Sequence, residues 1–270
     1  MVPSLGFHRR LHGFTLIELL VVISIIALLI SILLPALASV QAAAGKVKCL
    51  ANTRSIAQGV SGYATDYGDS ITPGYLKQPP PGRPGPSGSF RGSWAGYLIE
   101  TGYITDGQFQ VAEEDRNEVL PRDESVFRCP EGTADVGDWG PADFESAFDP
   151  AEQRATHIIH DLYQDGSWTR MVVASWYGAN ADTNGRRYPL GGPNWSNIAR
   201  VGQIQQTSRT PVVFDGSVIH DGWAEGRVHA RHDGLTSTNI SFFDGHAKNV
   251  PRDELPSIGS DNEVVNWRGD

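Results

Sequence analysis

Residues 14–34 form an unbroken apolar run, "FTLIELLVVISIIALLISILL", in which Glu18 is the sole ionisable side chain. No other stretch restricts the fold as strongly. As a helix the run would extend about 32 Å, enough to cross the hydrocarbon core of a bilayer. A carboxylate within such a segment costs about 2.5–3.5 kcal/mol on insertion scales, so its presence calls for a partner. One end of the chain is thereby set as a membrane-spanning helix that carries a single charge.

The segment before the run is short and ends in a basic cluster, His8, Arg9, Arg10 and His12. A secretory signal would place its small-residue cleavage site after the apolar core. Here the small residue, Gly13, stands before it. The string "GFTLIELLVVISIIALL" resembles the N-terminus of type IV prepilins and type II secretion pseudopilins, with matches at Gly13, Phe14, Thr15, Leu16 and Glu18 and along the apolar run. The resemblance implies cleavage by a prepilin peptidase after Gly13 and N-methylation of Phe14. It implies that Glu18 meets the new amine of a neighbouring subunit, two costly charges that offset each other only as a pair. It also implies pilin or pseudopilin subunits as partners, in a single-pass inner-membrane protein with its globular part on the periplasmic or extracellular side. The plain alternative leaves Glu18 near the membrane surface of a simple anchor, with no role.

The implied fold is α+β and pilin-like: a long N-terminal helix, half in membrane and half packed, against an antiparallel sheet domain with long loops. The corresponding division is a leader at 1–13, a transmembrane and assembly half at 14–45 and a globular domain at 46–270. The residues beyond the apolar run agree. Leu50, Ile56, Ala57, Val60, Tyr63, Ala64 and Tyr67 recur at three- and four-residue steps, which predicts one apolar helix face, while Lys46, Lys48, Arg54 and Asp66 fall elsewhere. Gly68-Asp69 should stop the helix, Pro35 should bend it, and Gly45, Gly59 and Gly62 weaken its second half.

Thirty glycines and seventeen prolines predict short strands and loops for the rest. The tract 77–92, with its Pro-rich loop at 79–88, reads as exposed polyproline-like chain, and 112–125 as an acidic solvated surface. A short helix is expected near Trp94–Thr101. Strands are expected at Met171–Tyr177, Pro211–Asp215 and Thr238–Phe243, with Asp244-Gly245 as a two-residue hairpin turn. The stretch 231–251 resembles the H-X9-DG segment near the C-terminus of many prepilin-type proteins. It matches at Arg231, His232, Asn239, Phe242, Asp244, Gly245 and His246, although eleven residues separate His232 from Asp244. Further family-like pieces are "CLANTRSIAQGVSGYATDYGD" at 49–69, "FRCP" at 127–130 and "SWYGAN" at 175–180.

The net charge of −9 argues against nucleic acid as a partner, because binding it without sequence preference needs a basic surface. The two cysteines, Cys49 and Cys129, lack the clustered spacing of a zinc site. In an exported domain a single long-range disulfide is expected; two separate buried thiols are the other possibility. His232, Asp215, Asp221, Asp244 and His246 could converge as hard metal ligands or as an acid/base pair, but turns and one hydrogen bond from His232 account for them structurally. Asn180, Asp182, Asn184 and Gly185 mimic the opening of a calcium loop, yet Gly191 stands where the bidentate Glu belongs. Calcium at Asp182 and Asn184, or near Asp244, is the corresponding metal expectation; otherwise no cofactor is expected. G-x-S-x-G is absent, and no catalytic residue is expected. The favoured reading is a structural subunit of a type IV pilus-like filament or type II secretion pseudopilus. The alternative is a membrane-anchored exported module that binds polysaccharide or metal, or an enzyme, using the helix only as an anchor.

Overall fold

The computed structural model describes residues 14–76, 78, 79, 82, 92–105, 110, 111, 125–132, 136, 137, 155–164, 166–180, 189, 190, 198–216, 228–256 and 262–267. The leader 1–13, most of the Pro-rich tract, residues 112–124 of the acidic stretch, Asp182, Asn184 and Asp221 lie outside them. The chain divides into two compact units, Met1–Ala43 and Ala44–Asp270. Helix α1, Leu16–Asp66, supplies residues to both and continues through Pro35.

In the first unit every described residue is exposed, including Leu16 at 86% and Ile17 at 74%. An apolar surface of this extent is stable only against lipid or protein. Its serine hydroxyls are satisfied on their own helix: Ser24, Ser31 and Ser39 donate to the carbonyls of Leu20, Leu28 and Ala36. That is the behaviour expected of hydroxyls in a medium that offers no water.

In the second unit α1 buries Cys49, Asn52, Thr53, Ile56, Ala57, Val60, Tyr63 and Ala64. The three- and four-residue spacing read from the sequence is this face, except that Leu50 is only partly buried and Tyr67 stays 49% exposed and stacks on Tyr63. The helix stops where expected, with Gly68 and Asp69 both at positive φ and Asp69 N–H donating to the Ala64 carbonyl. Strands β1 (Tyr75–Leu76) and β2 (Gly92–Ser93) pair antiparallel and lead into helix α2 (Trp94–Glu100), capped by the Ser93 hydroxyl. Trp94 and Leu98 join Ile56, Val60, Phe127 and Trp176 in the main core.

Two four-stranded sheets complete this unit. One contains β3 (Gln110–Val111), β4 (Val136–Gly137), β5 (Ala155–Gln164) and β6 (Ser167–Ser175), in the order β3-β6-β5-β4. The other contains β7 (Tyr177–Ala179), β8 (Pro211–Asp215), β9 (Ser237–Phe242) and β10 (Ala247–Pro251), in the order β10-β9-β8-β7. All neighbouring strands are antiparallel except β4 and β5. The molecule is therefore α+β, with a long N-terminal helix and antiparallel sheets.

Two local readings of the sequence need correction. The expected strand at Met171–Tyr177 is divided between the sheets. Ser175 Oγ accepts the Tyr177 N–H, and Trp176 donates its N–H to Phe127 instead of to a strand neighbour, so the chain changes sheet there. The turn at Asp244-Gly245 is also different. Phe242 and His246 close a three-residue loop in which only Gly245 has positive φ, at 87°. A type I turn followed by a left-handed glycine explains this geometry, whereas a two-residue turn of the expected kind would need positive φ at Asp244 as well.

Candidate functional site

At the start of α1, Glu18 has a local partner. Thr15 precedes the first helical residue, and its N–H and hydroxyl both donate to Glu18 Oε2 at 2.8 Å. In return the Glu18 N–H donates to Thr15 Oγ1 at 3.3 Å. This reciprocal arrangement is a capping box, which satisfies two N-terminal donors and sets a negative charge where the helix dipole favours it. The signal was present in the sequence as Thr-x-x-Glu before an apolar run and was not used in the reading above. Phe14, the residue expected to carry the new amine, is 70% exposed beside it, and Gly13 lies outside the described residues.

The second constellation lies inside the globular unit, where four segments meet. Cys49 on α1 and Cys129 in the 125–132 loop form a disulfide with Cα atoms 5.2 Å apart, both residues fully buried. Against it lies His232, also fully buried. Its Nε2 is 3.0 Å from Asp215 Oδ2 at the end of β8, and its Nδ1 is 2.8 Å from Glu131 Oε2. Burial alone would lower the His232 pKa, but the hydrogen bond and charge of Asp215, and then Glu131, raise it above the ordinary value. Asp215 Oδ2 also accepts the Asn239 N–H at 2.7 Å, while its Oδ1 is buried with no partner among the described residues.

Surrounding groups hold this cluster in place. Asn239 donates to the Lys46 carbonyl of α1, and Asn249 on β10 donates to Asn239 Oδ1. Asn52 on α1 donates to the Arg128 carbonyl, and the Lys46 ammonium lies 2.8 Å from the Asp233 carboxylate. The buried Arg231 guanidinium donates to the Trp176 carbonyl and to His229 Nδ1, which fixes His229 as a neutral Nε2–H tautomer. Gly132, beside Glu131, is required by packing: a Cβ there would lie 2.1 Å from the Trp176 indole.

Of the five residues considered for convergence, the structure brings His232 and Asp215 together. Asp244 and His246 instead pair with each other on the exposed β9–β10 turn, Oδ1 to Nδ1 at 2.5 Å. Asp182 and Asn184 lie outside the described residues. Glu131 was not anticipated; its only sequence signal was its place directly after the "FRCP" piece. The side chains of the buried cluster are closed to solvent apart from Glu131, so the arrangement serves to join elements or to hold a small ion.

The family model of the prokaryotic N-terminal methylation motif matches residues 8–34. No curated protein matches the chain, and no solved structure does. The chain thus carries a prepilin-type processing and methylation segment at the head of a helix long and apolar enough to cross a membrane. The match ends at residue 34, so it does not reach the segment 231–251.

Proposed function

We propose that the protein is a structural subunit of a type IV pilus-like filament or a type II secretion pseudopilus. A prepilin peptidase removes residues 1–13, the Phe14 amine is methylated, and the apolar half of α1 passes from the inner membrane into a filament of like or related subunits. The observation that carries this reading is the methylation motif at 8–34 together with the exposure of every described residue from 14 to 43. A buried disulfide in the globular unit supports an oxidising location for that unit, on the far side of the membrane from synthesis. The work of such a subunit is mechanical.

In a filament the cap formed by Thr15 would give way to a stronger partner. Glu18 would meet the Phe14 amine of a neighbour, and removing one member of a buried pair costs about 3–5 kcal/mol. The test is mass spectrometry of the mature N-terminus together with detection of filaments that contain the chain. Cleavage after Gly13 with a methylated Phe14, found in filaments, supports the proposal. A processed chain that never leaves the membrane would favour the anchored binding module, and an unprocessed one would overturn the reading. Calcium at Asp182 and Asn184 is proposed only as a secondary feature, on the sequence pattern alone.

A further inference from the structure

We infer that, in the reduced chain, Cys49, Cys129, His232 and Asp215 form a buried site for one divalent metal ion of the zinc class. One ligand atom from each residue lies within 4.8 Å of the other three, and all four residues are buried. Metal–sulfur bonds of about 2.3 Å and metal–nitrogen or –oxygen bonds of about 2.0 Å put tetrahedral donors roughly 3.3–3.8 Å apart, so the four can close on an ion with small shifts. Two thiolates, an imidazole and a carboxylate suit zinc or its substitute cobalt(II), and do not suit calcium or magnesium.

Two features beyond the cluster point to an ion. The first is Asp215 Oδ1, an oxygen of a fully buried carboxylate without a partner among the described residues. Such an oxygen is costly to bury and is available as a ligand. The second is Glu131. Its carboxylate, 2.8 Å from His232 Nδ1, accepts the N–H of that nitrogen. Nε2, hydrogen-bonded to Asp215 Oδ2 in the disulfide form, therefore becomes a ligand once the proton shared there leaves. A carboxylate behind the imidazole is the usual outer partner of a zinc-bound histidine. The fully buried Arg231 guanidinium, which interacts electrostatically with Asp215, offsets the negative charge that two thiolates and a carboxylate leave around the ion.

The disulfide and the metal site exclude each other. A newly made chain carries both cysteines as thiols, so loading requires no electron transfer. Two S–H bonds break, and the proton between His232 Nε2 and Asp215 Oδ2 leaves. Two sulfurs, one nitrogen and one oxygen then bond the ion, and three protons pass to solvent. Closing the disulfide instead removes two electrons and two protons, and needs an oxidant of the disulfide-exchange class. Either closure joins α1 to the 125–132 loop. The metal form additionally ties in β8 and the turn before β9.

The experiment uses the full chain in detergent, reduced with a phosphine, which does not compete as a thiol would, and titrated anaerobically with cobalt(II). The expected result is one cobalt per chain, with a thiolate-to-cobalt charge-transfer band and visible bands of tetrahedral strength, both lost on adding zinc. The disulfide form should show neither. Glu131→Gln, which keeps all four ligands, should weaken cobalt binding by about 10–100-fold. His232→Gln and Asp215→Asn should lose the tetrahedral bands, with near-ultraviolet circular dichroism of their disulfide forms confirming that they fold. Absence of a thiolate band in the reduced wild-type chain would overturn the inference. So would bands that persist unchanged in His232→Gln and Asp215→Asn, which would show cysteine-only binding.

Discussion

At the scale of single residues, Glu18 has two separable duties. It caps its own helix through Thr15, and in the proposed filament it receives a neighbour's amine. Thr15→Ala removes one half of the box and keeps the carboxylate. It should cost about 0.5–2 kcal/mol of local helix stability and leave the ratio of filament-associated to membrane-associated protein near that of wild type. Glu18→Val should retain insertion and cleavage yet lose assembly; an unchanged ratio would remove the assembly role. Histidines in the globular unit give a second prediction. Burial, and then the Arg231 charge, push His229 down to about 3. The unfolded chain therefore binds a proton below about pH 6.5 that the folded chain refuses, and stability falls as pH drops from there toward the folded value, by up to about 1.4 kcal/mol per unit. His232 is shifted the other way: its contribution is complete below about 6.5 and is lost as pH rises through its raised folded value. Denaturant midpoints of the disulfide form should peak near pH 6.5, and His229→Gln should flatten only the acid side. A wild-type midpoint that stays level on both sides would contradict this account.

At the scale of elements, the strongest tie is between α1 and the 125–132 loop. The disulfide spans a sequence separation of 80, for which chain entropy predicts roughly 4–5 kcal/mol of stabilisation. Cys49→Ser with Cys129→Ser should lower the denaturation free energy by about that amount under metal-free conditions, as followed by tryptophan fluorescence. A loss below about 1 kcal/mol would mean that the unfolded chain is already constrained there. Gly132→Ala tests the packing of the same loop. Its Cβ would meet the fully buried Trp176 indole at 2.1 Å, and overpacking of this kind costs about 1–3 kcal/mol. The β5–β6 hairpin shows how local signals can be misassigned. Gln164 pairs with Ser167 and Gly166 has positive φ, so the tight turn lies here and not at Asp244-Gly245, where the loop has three residues.

At the scale of the whole molecule, the division into Met1–Ala43 and Ala44–Asp270 has a solubility consequence. The described residues of the first unit are all exposed and mostly apolar, whereas the second unit has its own core around Ile56, Trp94, Phe127 and Trp176 and its own disulfide. A fragment beginning at residue 44 should therefore be monodisperse without detergent and unfold cooperatively, while the full chain should partition into membranes. Aggregation of the fragment would show that its stability depends on residues 14–43.

The apolar run, its single carboxylate and the buried face of α1 were legible in the sequence, because each depends on residues within a few turns of one another. So was the short helix after residue 93, whose cap and apolar spacing are local. The junction of Cys49, Cys129, Glu131, Asp215 and His232 was not legible as a unit. Its members come from α1, a loop, the end of β8 and the turn before β9, and only tertiary folding brings those segments within hydrogen-bond reach. The same holds for the division of 171–177 between two sheets, because the Phe127 carbonyl that captures the Trp176 N–H lies some fifty residues away. Local pattern fixes which face is apolar and where a helix ends, while burial of polar groups is decided by partners that distant segments supply.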